Sequence, residues 1–163
     1  MSWLSALFQR RVVGPIVTQL RQGSDPRGLA LSCAAGVVCG LFPILGATSL
    51  LGLVAGSAFK LNHPVIQGVN YLMSPVQLLL IPVFGISGHL LLAPAGEPLP
   101  ELNPVIVAGE LAGGVVPFLK TYGLVGLRAV LVWILVMPFV AILTRNLALP
   151  PIARLHARFT ESR

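Results

Sequence analysis

Leu41-Phe42-Pro43-Ile44-Leu45-Gly46 sits near the centre of a run from Gly28 to Phe59 that contains no Asp, Glu, Lys or Arg. The run is 32 residues long. One straight membrane span needs about 20 apolar residues, because ~30 Å of hydrocarbon is covered at ~1.5 Å per residue. The run is too long for one span and slightly short for two. A proline with a nearby glycine at its centre predicts two half-helices that meet inside the membrane. Backbone broken at that depth persists only where protein or a wet cavity satisfies its polar groups. The break is therefore the first place to look for function.

Composition sets the class. Apolar residues make up 55% of the 163-residue chain and charged residues 10%, against about 25% charged in an ordinary soluble domain. Mean hydropathy is +0.87. The expectation is an all-α, small polytopic membrane protein with proline-broken or re-entrant helices, forming one membrane domain over 1–163. There is no room for a soluble catalytic module. Cys33 and Cys39 read as small core hydrophobes, with no disulfide framework and no metal-ligand spacing. No cofactor and no metal are expected.

The net charge of +6 matters through its placement. Arg10, Arg11, Arg21 and Arg27 precede the apolar region, and Arg145, Arg154, Arg158 and Arg163 follow it. Glu97 and Glu101 lie between. By the positive-inside rule both termini are cytoplasmic and 93–104 is an exposed Pro-rich loop on the other side. Basic charge so distributed points to anionic lipid as a partner and away from nucleic acid. Residues 1–25 do not read as a secretory signal. Leu4, Phe8, Val12, Ile16 and Leu20 recur every fourth position, which suits an N-terminal amphipathic helix on the cytoplasmic leaflet, broken or kinked at Gly14-Pro15. The alternative is a helix packed on the rest of the protein.

Ser24-Asp25-Pro26 is a helix start. Half-helices are expected from about Arg27 to Phe42 and from about Ala47 to Phe59, with Lys60-Leu61-Asn62-His63-Pro64 as a polar turn. A second uncharged stretch, 61–96, is interrupted at Ser74-Pro75 and Pro82. Residues 25–92 thus hold two broken segments. A short apolar helix over 105–119, a span over 121–145 and a basic cytoplasmic tail over 146–163 complete the chain. Three single crossings would leave the C-terminal arginines outside. The preferred repair makes 28–59 a re-entrant hairpin with Pro43 at its tip; the other makes 103–119 a fourth crossing.

Paired broken segments are a device of small transporters, and half-helix N-termini offer N–H groups to an anion. The candidate ligand site is therefore Pro43, Gly46 and Thr48 at the first break, Asn70, Ser74 and Pro75 at the second, with Asn62 at the turn. The competing reading is that these prolines only kink packed helices. Gly36/Gly40, Gly52/Gly56 and Gly109/Gly113 have the spacing that lets helix backbones approach, more for internal packing than for a possible homo-oligomer. Glu110 and Arg128 are candidate intramembrane charges. They form a buried pair marking a path for substrate or proton, or Arg128 snorkels to the outer headgroups. No nucleophile with a base, paired carboxylates or phosphate loop is present, so no catalytic residue is assigned and the protein is not read as an enzyme.

Gly40, Phe42, Pro43, Gly46 and Thr48, then Asn62 and Pro64, then the second break ending in Gly85 or Gly88, resemble the bacterial membrane family called domain of unknown function 2062. The resemblance covers about residues 25–92. It departs at the second break, where that family tends to carry Asn-Pro and this chain has Ser74-Pro75 with Asn70 one turn earlier. The resemblance implies the bacterial inner membrane and envelope lipid or glycan biology, and brings no catalytic residues with it. The leading expectation is a protein that handles or transports an anionic lipid or lipid-linked envelope precursor. The alternatives are a scaffold or accessory subunit for an envelope-biosynthesis enzyme, and a small ion- or proton-coupled carrier.

Overall fold

The computed structural model describes residues 13–21 and 25–161, and these form helices and turns without a strand. The helices are α1 (Gly14–Arg21), α2 (Pro26–Gly40), α3 (Thr48–Ala58), α4 (His63–Leu92), α5 (Pro104–Ala112) and α6 (Val115–Glu161). Leu4, Phe8 and Val12 of the expected interfacial helix lie outside the described residues.

α2 begins as its sequence dictates. The Asp25 carboxylate accepts from the Gly28 N–H at 3.2 Å, and Pro26 occupies the first turn, where its missing donor costs nothing. α2 has 15 residues and α3 has 11, so they measure about 22 and 16 Å. Neither alone reaches across ~30 Å of hydrocarbon. They form a helical hairpin around the turn 41–47, and α2 packs against α4 and α6.

Two expectations about long segments are corrected. The 61–96 stretch is not broken at Ser74-Pro75 or Pro82: α4 runs unbroken for 30 residues with both prolines inside it. A proline inside a helix removes one donor and crowds the carbonyl four residues back, at about 3 kcal/mol. In apolar surroundings an open loop would strand more polar groups than a kinked helix does, so the helix continues. Likewise α6 begins at Val115 and runs 47 residues through Pro138, Pro150 and Pro151, past Arg145 and into the expected tail. The 105–119 segment divides instead at Gly113-Gly114, where Gly114 takes a φ of +127°.

α4 and α6 are long and apolar enough to cross a membrane, and only 28% and 22% of their most apolar windows are buried. Leu79, Leu90, Leu135 and Phe139 are among the large side chains turned outward. Such a surface suits lipid and not water.

The interior has two layers. Ile16, Leu29, Ala30, Cys33, Val65, Val69 and Ile152 form one, where α1, the start of α2, the start of α4 and the end of α6 meet. Ile16 is thus packed on the protein. Leu41, Phe84, Ala129 and Met137 form the second layer around the tip of the hairpin. Glycines bring the helices together. A Cβ on Gly36 would lie 2.7 Å from Val69 Cβ, one on Gly40 2.8 Å from Met73 Cβ, and one on Gly56 2.6 Å from the His63 ring. Those spacings serve internal packing, while Gly109 meets nothing within 4 Å.

Candidate functional site: the tip, mouth and outer strap of the hairpin bundle

A helix end leaves its last carbonyls without intrahelical donors. At the end of α2 three of the last four find donors, and the turn beyond finds another. The Leu41 N–H donates to Val37 O and the Phe42 N–H to Cys39 O. Trp133 Nε1 of α6 donates to Val38 O at 3.3 Å, and Gln77 Nε2 of α4 donates to Phe42 O at 2.7 Å. The Phe42 ring meets Trp133 edge to face at 5.0 Å. Gln77 is buried and stands 14 residues into α4, about 21 Å from its start. Two polar side chains from apolar helices thus close the break with protein.

The predicted tip residues have distinct places. Pro43 is buried in the turn, and Gly46 is exposed in the left-handed conformation, φ +83°. Thr48 is the first residue of α3, whose cap, Ala47, offers no side-chain bond. Ser74 and Pro75 lie on the exposed side of α4, so the two prolines are not brought to one enclosed space. Asn70 is 1% exposed and donates to Gln67 Oε1 at 3.3 Å. Gln67 Nε2 in turn donates to Ser49 O at 3.0 Å, which ties α4 to the start of α3. The Asn70 amide therefore serves a bond internal to the fold.

The mouth of the hairpin lies where α2 starts and α3 ends. Leu61 N–H reaches back to Gly56 O at 2.8 Å, and Lys60 takes a φ of +52°. This is the glycine-type helix ending with lysine in the left-handed place. Asn62 then caps α4 by accepting from the Val65 N–H at 3.1 Å. Its own N–H donates to Ser32 Oγ at 2.9 Å, which pins the turn to α2. Asp25, Gly28, Leu29, Lys60, Leu61 and Asn62 line an open cavity of about 310 Å³.

At the other end of the bundle the 93–103 loop is held down. Arg128 is buried, and its Nη1 and Nη2 donate to the two Glu97 carboxylate oxygens at 2.7 and 2.9 Å. This corrects one expectation: the partner of Arg128 is Glu97 and not Glu110, which is exposed on α5. The Pro-rich loop folds back far enough to reach it. His89 Nε2 lies 3.0 Å from Glu97 O, and Tyr122 OH donates to Glu101 O at 3.0 Å. The hydrogen bond from Arg128 holds the Glu97 carboxyl below its ordinary range, against a smaller opposing effect of desolvation. Gly88 permits the crossing here, since a Cβ would lie 2.7 Å from the Arg128 carbonyl carbon.

Among the described residues, no three His, Cys, Asp or Glu side chains gather as metal ligands. Sequence reasoning missed Trp133, Tyr122, Glu97 and Gln77 as site residues. Their common signal is a hydrogen-bonding group placed within or beside an apolar helix. No protein family, curated protein or solved structure matches the chain.

Proposed function

We propose that this is a bacterial inner-membrane protein, both termini cytoplasmic, that handles an anionic lipid or lipid-linked envelope precursor at the mouth of its hairpin. α4 and α6 are its two crossings, and α2–α3 enters and leaves on the cytoplasmic side. Two crossings satisfy the charge parity, with Lys60, Arg145, Arg154 and Arg158 on one side and Glu97 and Glu101 on the other. The proposed kinship with the domain of unknown function 2062 family over 25–92 supplies the envelope context.

The observation that carries this reading is the 310 Å³ cavity between the starts of α2 and α4, with Lys60 on its rim. The Lys60 ammonium is the group that favours a phosphate there, beside two helix N-termini that Asp25 and Asn62 cap and with the Asp25 carboxylate on the same wall. Lys60 holds a conformation that costs an L-residue about 1–2 kcal/mol, which is the kind of strain kept at working positions. The tip is a poorer candidate, because residues 41–49 include no Lys or Arg. Native mass spectrometry of detergent-purified protein tests the reading. Co-purified anionic lipid should be retained by wild type and by Ser74→Ala, and lost from Lys60→Ala. Equal retention by Lys60→Ala would refute it.

A scaffold role, with an envelope-biosynthesis enzyme as partner, is the second reading. It is favoured by α3, where Leu50, Leu53 and Val54 turn outward as an apolar face. Loss of partner capture with intact lipid retention on Leu53→Ser would select it.

A further inference from the structure

Arg128 is costly where it stands. Removing a guanidinium from water is unfavourable, and a well-packed apolar residue would serve helix packing better. An ionisable residue within an apolar span is a functional-site hypothesis by default. Its partner is not on a helix. Glu97 comes from a loop containing Pro94, Gly96, Pro98 and Pro100, whose residues are mostly exposed. Gly96 has a φ of +85° and open space around it. The loop is tied to the helices at few points: the Glu97 carboxylate on Arg128, Glu97 O on His89, and Glu101 O on Tyr122.

The groups on the helix side are cationic or hydrogen-donating, and those on the loop side accept. His89 is 8% exposed, and its Nδ1 is buried without a partner. Glu97 keeps 29% of its side chain exposed against 8% for Arg128, so the carboxylate is the removable member. A planar guanidinium that binds a carboxylate through two parallel bonds binds a phosphate group in the same way. Arg128 stands 17 residues from Arg145, about 25 Å along α6. With Arg145 at the cytoplasmic surface, Arg128 comes near the phosphates of the opposite leaflet.

We propose that Arg128 and His89 form an oxyanion site for a phosphate group, and that Glu97 occupies it as a built-in stand-in carried on a displaceable strap. This site is at the opposite end of the bundle from the mouth cavity and does not rest on the lipid reading given for it.

The test uses the full chain in maltoside micelles, which carry no phosphate. Glu97→Ala empties the site, and inorganic phosphate should then raise its melting temperature in a dose-dependent way. The apparent affinity should be at least tenfold tighter than for wild type, and the Glu97→Ala/Arg128→Gln double variant should not respond. A Glu97→Ala protein that responds no more than the double variant overturns the proposal. A second measurement keeps wild-type Glu97, in case Glu97→Ala does not fold. Maleimide labelling of Leu102→Cys, a loop residue half-buried against Gly85, reports strap release. Faster labelling with inorganic phosphate in micelles identifies a soluble phosphate. Faster labelling in phosphatidylglycerol nanodiscs without added phosphate identifies a lipid phosphate. An unchanged rate in both arms overturns the proposal.

Discussion

Replacing Gln77 with methionine removes the donor to Phe42 O while keeping an unbranched side chain of similar length. The bond is 2.7 Å and Gln77 is 5% exposed, so water does not readily replace it. Leaving a buried carbonyl without its donor costs about 1–3 kcal/mol. That is about a 5- to 150-fold change in the unfolding constant, since each tenfold is about 1.4 kcal/mol. Trp133→Phe removes the second donor but keeps a ring near Phe42, and should cost about 1–2 kcal/mol, because its 3.3 Å bond is longer. Both donors act on one turn, so the double variant should depart from additivity by about 0.5 kcal/mol or more. Ser74→Ala, exposed on the same helix, should stay within about 0.5 kcal/mol of wild type. Equilibrium unfolding in mixed micelles titrated with sodium dodecyl sulfate reads all four. A Gln77→Met protein as stable as Ser74→Ala would show that the break does not depend on protein donors, and the reasoning would fail.

Other outcomes follow from the same structure. Gly36→Ala places a Cβ 2.7 Å from Val69 and 2.8 Å from Ile66 O; overpacking of about 1–3 kcal/mol should exceed the ~1 kcal/mol gain in helix propensity. Gly109→Ala meets nothing within 4 Å and should stabilise by up to about 1 kcal/mol, so thermal unfolding should shift in opposite directions for the two. Lys60→Gly relieves the left-handed strain at φ +52° and should raise stability by about 1 kcal/mol while lowering retention of anionic lipid in native mass spectra. The Glu97 carboxyl is held below its ordinary value, so its contribution is present above the unfolded value of about 4.3 and is lost as pH falls through the lower folded one. Amide hydrogen exchange of the 93–103 loop, corrected for its intrinsic rate, should therefore rise as pH falls through that lower value, and Glu97→Gln should abolish the dependence.

Much of the bundle was legible because its signals are local. Asp25-Pro26 starts a helix through its own cap, and Pro43 with Gly46 ends one helix and frees the chain to begin the next. The Gly36/Gly40 spacing correctly pointed to close internal packing. Proline alone misled at Pro75, since the same residue breaks a helix at position 43 and is carried within one at position 75. The difference lies in whether the chain reverses there, which tertiary packing decides. The site partners were not legible because they are distant in sequence. Gln77 and Phe42 are 35 residues apart, Trp133 and Val38 are 95, and Arg128 and Glu97 are 31. Nothing local distinguishes Glu97 from Glu110 as the partner of Arg128. Only the fold of the Pro-rich loop brings one carboxylate to it.

The central claim is that α2–α3 is a hairpin that leaves the membrane on the side it entered, between two crossings. Site-directed labelling of intact cells with a membrane-impermeant maleimide tests it most directly, using single cysteines at Lys60 and Ala95 in a background lacking the buried Cys33 and Cys39. The account predicts that Ala95→Cys reacts in intact cells and that Lys60→Cys reacts only after the membrane is opened. Reaction of Lys60→Cys in intact cells would place the end of the hairpin on the far side and contradict it.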